Sequence, residues 1–127
     1  MMLKITKPVH INAEDIDDIL CTAFEGGITY WCNAVQSMML IDWHKANHVE
    51  YANEVISHGG ELVLSTEDGD KVLTLEAFLQ GLQMVLDEFV ITLEVIGDEF
   101  YIDTTCIDAD LADVIVQYAL FGELVYC

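Results

Sequence analysis

The sequence predicts one α+β domain: an antiparallel sheet of hairpins with about four helices packed on it. Three observations predict it. Apolar stripes at helical spacing begin at capping residues, short β-branched runs flank Gly- and Asp-rich turns, and nothing in the chain resembles a linker. The 127 residues hold one proline, Pro8, and no low-complexity tract, so residues 1–127 read as a single compact unit. Helices mixed with hairpins in this order suit α+β rather than a wound parallel sheet. Hydrophobic residues make up 54% of the chain, enough to build a core at this size.

The first helix opens at Asn12, an N-cap residue, with Glu14 and Asp15 at the positive end of the helix dipole. Ile16, Ile19, Leu20 and Ala23 form its apolar stripe. Gly26-Gly27 is expected to stop it, because glycine accepts the left-handed cap conformation. Residues 28–32 read as a strand. Met38, Met39, Leu40 and Ile41, within residues 33–42, fit either a helix or a buried loop. A second helix is expected over residues 44–57, capped by Asp42 and stopped by Gly59-Gly60. Residues 61–65 and 71–74 flank a hairpin loop at 67–70. The third helix starts near Thr74, with Leu75, Phe78, Leu79, Leu82, Leu86 and Phe89 as its core stripe. Residues 90–96 and 99–105 face each other across Gly97-Asp98, with glycine where a type II′ turn requires it. The fourth helix opens at Asp108, turns Leu111, Val114, Ile115 and Tyr118 inward, and ends at Gly122. Residues 124–127 read as short and extended.

A shift of 95 residues lays Asp15-Ile16 and Asp18-Ile19-Leu20 over Asp110-Leu111 and Asp113-Val114-Ile115. It also pairs Gly27 with Gly122, Trp31 with Tyr126 and Cys32 with Cys127. Any capped helix followed by glycine and a strand shares this pattern. A true repeat would instead pack two helix-turn-strand units side by side and draw the last residues into the sheet.

Charge narrows the function. Four Lys and no Arg oppose 23 carboxylates, a formal net charge of −19. Nucleic-acid and anionic-membrane binding both need cations to displace counterions, so neither is expected. Without a guanidinium, bidentate capture of phosphate is missing too. After Lys71 come eleven carboxylates and no Lys, Arg or His. That asymmetry points to a basic protein surface as partner, with solubility alone as the plainer account.

Residues 1–11 lack an apolar run long enough for a signal peptide, and no stretch is long enough to span a membrane. The expected location is therefore cytoplasmic. Cys21, Cys32, Cys106 and Cys127 then read as reduced thiols; without C-x-x-C spacing they make a weak zinc pattern.

No catalytic motif of the serine-elbow, P-loop or dinucleotide type occurs, so an enzyme is not expected. His44 and His48 are four apart and could share a metal with Asp42, but no third ligand has diagnostic spacing. The groups Asp15, Asp17, Asp18 and Asp108, Asp110, Asp113 sit at helix starts, where capping accounts for them better than a divalent cation does. No metal or cofactor is expected. Trp31, Trp43, Tyr30, Tyr51, Phe100 and Tyr101 fit the core, with a few free to anchor a protein interface.

The segments Asn12-Ala13-Glu14-Asp15-Ile16-Asp17-Asp18-Ile19 and Glu25-Gly26-Gly27-Ile28-Thr29-Tyr30-Trp31-Cys32 resemble small proteins encoded by phages and prophages of gut Firmicutes. Gln117-Tyr118-Ala119-Leu120-Phe121-Gly122-Glu123 does so too. The resemblance implies a setting, and no site residues. By analogy, small acidic phage proteins such as anti-CRISPRs and DNA mimics occupy the nucleic-acid channels of host defence nucleases.

The resulting expectation is an acidic inhibitor acting in the host cytoplasm, docked by charge mimicry on a CRISPR effector or another basic host nuclease. The docking face is assigned to Glu94, Asp98, Glu99, Tyr101, Asp103, Asp108, Asp110 and Asp113. A small-ligand or nucleotide-signal module lined by aromatics is the alternative. A structural phage accessory protein is the third reading, and a homo-oligomer is compatible with each.

Overall fold

The computed structural model describes residues 7–37 and 41–127. The fold is α+β, with four helices and two three-stranded sheets among the described residues. Strands β1 (Val9–His10), β5 (Leu93–Ile96) and β6 (Glu99–Ile102) form one sheet in the order β1-β6-β5. Strands β2 (Cys32–Ser37), β3 (Leu62–Thr66) and β4 (Gly69–Leu73) form the other in chain order. The expected single antiparallel sheet is therefore two, and β1 joins β6 in parallel, Val9 opposite Phe100 and His10 opposite Tyr101.

Helix α1 (Ala13–Thr22) starts in a capping box: Asn12 Oδ1 accepts from Asp15 N at 2.8 Å, and Asp15 Oδ2 accepts from Asn12 N at 3.1 Å. Gly26-Gly27 does not stop it in a left-handed cap. The helix widens into a π turn, Ala23–Gly27, closed by Ile28 N donating to Ala23 O at 2.9 Å. Gly27 is needed for space, since a Cβ there would lie 2.5 Å from Ala109 O. Residues 28–31 are a turn, so the strand expected at 28–32 begins only at Cys32 and runs to Ser37.

The helix expected over 44–57 is two shorter pieces. Helix α2 (Ile41–Ala46) includes Asp42 in its first turn, so Asp42 is not its cap. It ends in a Schellman motif: Val49 N donates to His44 O, His48 N donates to Lys45 O, and His48 takes φ 57°. A 3-10 turn, Ala52–Glu54, follows, and Val55 and Ile56 are fully buried. Met38, Met39 and Leu40 lie outside the described residues.

The hairpin β3–β4 turns tightly on Glu67-Asp68, both at negative φ, with Gly69 at φ 106°. Helix α3 (Leu75–Glu88) is capped by Thr74, whose Oγ1 accepts from Ala77 N at 3.1 Å. Its buried stripe is Phe78, Gly81, Leu82 and Val85; Leu79, expected inside, is exposed. Gly81 lets α3 approach helix α4 (Ala109–Phe121), because a Cβ would fall 2.5 Å from Ala119 Cα. Helix α4 starts at Asp108, whose Oδ1 accepts from Leu111 N at 2.8 Å, and ends at Gly122 with φ 72°. It runs through the middle of the molecule, with Ala112, Asp113, Ile115, Val116 and Gln117 all buried. Leu111, Val114 and Tyr118, expected to point inward, are half-buried at its margins.

Candidate protein-interaction site

The eight residues assigned to the docking face separate into three groups. The β5–β6 hairpin keeps four. Register places Glu94 opposite Tyr101 and Ile96 opposite Glu99, and alternation puts all four side chains on one face. His10 joins that face from β1. On the other face lie Val9, Leu93 and Ile102, which pack toward the core, and Phe100, which lines an open groove beside them. Gly97 has φ 63° and Asp98 does not, which fits the type II′ turn. The tip projects beyond the core: Val95 is 59% exposed and Ile96 57%, on opposite faces, with Asp98 and Glu99 exposed beside them.

The outer face is not lined by carboxylates alone. His10 stacks on Tyr101 with ring centroids 4.9 Å apart, and its Nε2 lies 3.7 Å from Glu99 Oε2. Tyr101 OH donates to the same carboxylate oxygen at 2.8 Å. That hydrogen bond, with some burial, pushes the Tyr101 phenol above its usual range. On the inner face, Lys7 Nζ sits 5.5 Å from the Phe100 ring centre, a cation–π placement. The hairpin itself carries no Lys, Arg or His; β1 adds the imidazole of His10 to the outer face, and Lys7, which precedes β1, lies on the inner one.

The second group, Asp103 and Asp108, is committed to local structure. Asp103 Oδ1 accepts from Thr105 N at 3.1 Å and from Thr105 Oγ1 at 2.5 Å, and Oδ2 accepts from Cys106 Sγ at 3.4 Å. These bonds, Thr105 Oγ1 first, hold its carboxyl below the usual range. Asp108 is the cap of α4.

The third group looks elsewhere. Asp110 is exposed in the first turn of α4 and borders an open groove of about 400 Å³ with Tyr30, Asp113, Val114, Leu124, Tyr126 and Cys127. Asp113 is not on a docking face at all, because it is 92% buried from solvent, its exposure being 8%. Oδ1 accepts from Trp31 Nε1 at 2.7 Å and from Gln117 Nε2 at 2.9 Å; Oδ2 accepts from Tyr30 OH at 2.6 Å. Gln117 Oε1 in turn accepts from Val125 N and Tyr126 N, each at 2.8 Å. Tyr126 then lies on Trp31, centroids 5.1 Å apart. Residues 124–127 are thus tied down, although they form no strand.

This cluster is where an aromatic-lined ligand pocket would be sought. Tyr30, Trp31, Asn33, Glu67, Tyr126 and Cys127 enclose about 280 Å³, slightly below the range of typical small-molecule sites. The side chains of Asp113, Tyr30, Trp31 and Gln117 already satisfy one another, and no buried side-chain N or O among the described residues lacks a partner. Cys32 is buried, Cys21 half-buried, and Cys106 and Cys127 exposed, all as free thiols. Among the described residues no three His, Cys, Asp or Glu side chains gather as a metal site, and no helix is long and apolar enough to cross a membrane.

Sequence reasoning missed the Asp113 cluster, whose partners are distant in the chain, and the exposed pair Val95 and Ile96. The only forerunner of the cluster was the shift that pairs Trp31 with Tyr126. No family model matches this chain, and no curated protein or solved structure matches it either.

Proposed function

We propose that this protein is an acidic inhibitor of a basic, nucleic-acid-binding host protein, of the kind phages use against host defence. It binds through the β5–β6 hairpin and occludes the surface that would take nucleic acid. The observation that carries the reading is the hairpin tip, where Glu94 and Glu99 share a face with the exposed Ile96, Asp98 is exposed in the turn, and Val95 is exposed on the other face. Carboxylates give steering and register, and aliphatic anchors give residence time. The formal charge of −19 supplies the long-range attraction.

The test combines a pull-down from host lysate with rapid-mixing kinetics on the captured protein. Association should slow about tenfold or more between low and physiological salt, since the screening length falls to ~8 Å, while dissociation changes less. Reversal of Glu94, Asp98 and Glu99 to Lys should abolish binding. Reversal of Glu14, Asp18 and Glu25 changes net charge equally on exposed parts of the first helical segment and should matter much less. A salt-independent association rate, or equal losses from both triples, would overturn the reading.

A further inference from the structure

We infer that the free edge of β5 is a strand-addition site for a basic, extended peptide segment of the partner; this rests on the reading above and specifies its mode of contact. Strand β5 pairs with β6 along one edge, and no described strand lies along the other. Thr92 O accepts from Asp103 N at 3.2 Å, which fixes the phase of the ladder. Residues 92, 94 and 96 therefore turn their backbone groups toward β6, and Leu93 and Val95 turn theirs outward.

Exposed edges are usually blunted by proline, lysine or a bulge. Leu93-Glu94-Val95-Ile96 has no proline or lysine, and its register with β6 runs without a shift from Leu93–Ile102 to Ile96–Glu99. An added strand would meet exposed apolar side chains on both faces, Val95 on one and Ile96 on the other.

Charge selects the occupant. Glu94 lies on β5 itself, Asp98 in the turn at its end, and the whole chain carries −19. A second copy would bring like charges together both locally and overall. A segment with Lys or Arg at alternate positions places cations beside Glu94 and apolar residues beside Val95, which is recognition by β-augmentation.

The probe is a capped peptide of about eight residues alternating Lys and Val, long enough for one ordinary strand. Its isomer with the same residues in Lys-Lys-Val-Val order carries equal charge without a two-faced pattern. Binding is read by fluorescence anisotropy at low salt. The alternating peptide should bind about tenfold or more tighter than its isomer, a difference set by backbone pairing and not by charge. Val95→Pro should abolish that preference, because the N–H it removes faces outward and edge strands tolerate proline there. Val95→Thr should keep it. N-methylation of alternate amides of the peptide provides the same test with the unaltered protein, and one of its two methylation phases should abolish binding.

Equal binding of both isomers, lost on Glu94→Gln with Glu99→Gln but insensitive to Val95→Pro and to N-methylation, overturns strand addition and leaves the charge-based reading standing. No binding of either isomer overturns both. Sedimentation as a dimer that Val95→Pro makes monomeric would assign the edge to a second copy and overturn the inference.

Discussion

The indole N–H of Trp31 donates to Asp113 Oδ1 at 2.7 Å, joining the turn before β2 to the middle of α4. Tyr30 and Gln117 complete the shell of that carboxylate. Asp113→Ala would leave the buried Trp31 N–H without an acceptor and Tyr30 OH and Gln117 Nε2 with their longer bonds, to Tyr126 O at 3.4 and 3.2 Å, and should destabilise the protein by about 2–4 kcal/mol. Asp113→Asn keeps the shape and removes a buried charge, and should cost about 1 kcal/mol or less. Urea denaturation of both variants, with near-UV circular dichroism to follow Trp31, measures the difference.

Alkaline titration should single out Tyr30. The residue is 53% exposed, but its hydroxyl turns inward to Asp113. Burial of that hydroxyl, then the hydrogen bond and the charge of Asp113, push its phenol up to about 12. A raised folded-state pKa favours the neutral phenol in the native state. The linked stability is fully present below the ordinary value of 10.0 and is lost as pH rises from there through about 12. Ultraviolet difference titration should show a late phenolate component that Tyr30→Phe removes.

Gly81→Ala should be destabilising even though alanine is the better helix former. The propensity gain is about 1 kcal/mol. Against it, the new methyl would meet the backbone of Ala119, which cannot rotate away as a side chain would. Forcing α3 and α4 apart should cost about 3 kcal/mol or more, read as a lowered urea midpoint.

Asp108→Ala separates capping from binding. Loss of the bond from Leu111 N should cost about 1 kcal/mol of stability. Partner association should then be unchanged in rate at temperatures where the variant is folded. A binding defect at full folding would return Asp108 to the docking face.

Helix starts were legible in the sequence because the chemistry of caps is local. Asn12, Thr74 and Asp108 each accept a hydrogen bond from a residue three positions on. The break at His48 was not legible. Its left-handed backbone sits in a residue that is not glycine, and its only local hint is Asn47, whose Nδ2 donates to Trp43 O at 2.9 Å. Gly26-Gly27 misled for the opposite reason: the pattern of a helix stop was there, but Gly27 serves the approach of Ala109. Of the candidate site, the turn followed from Gly97-Asp98 and the face shared by Glu99 and Tyr101 from period-two alternation, while Glu94 joins that face by the register of the hairpin. Asp113 was misplaced because its position next to Asp110 suggested a solvated helix start. Its burial depends on Tyr30 and Trp31, which no local spacing connects to it.

Parallel pairing of Val9-His10 with Phe100-Tyr101 also orders events during folding. The loop it closes spans on the order of ninety residues, an entropic cost that must be met before the two-residue contact returns anything. Strand β1 is therefore expected to attach after β6 is already placed, as a latch closed late. On a ribosome, the first of these strands to emerge waits for on the order of ninety further residues before its neighbour exists.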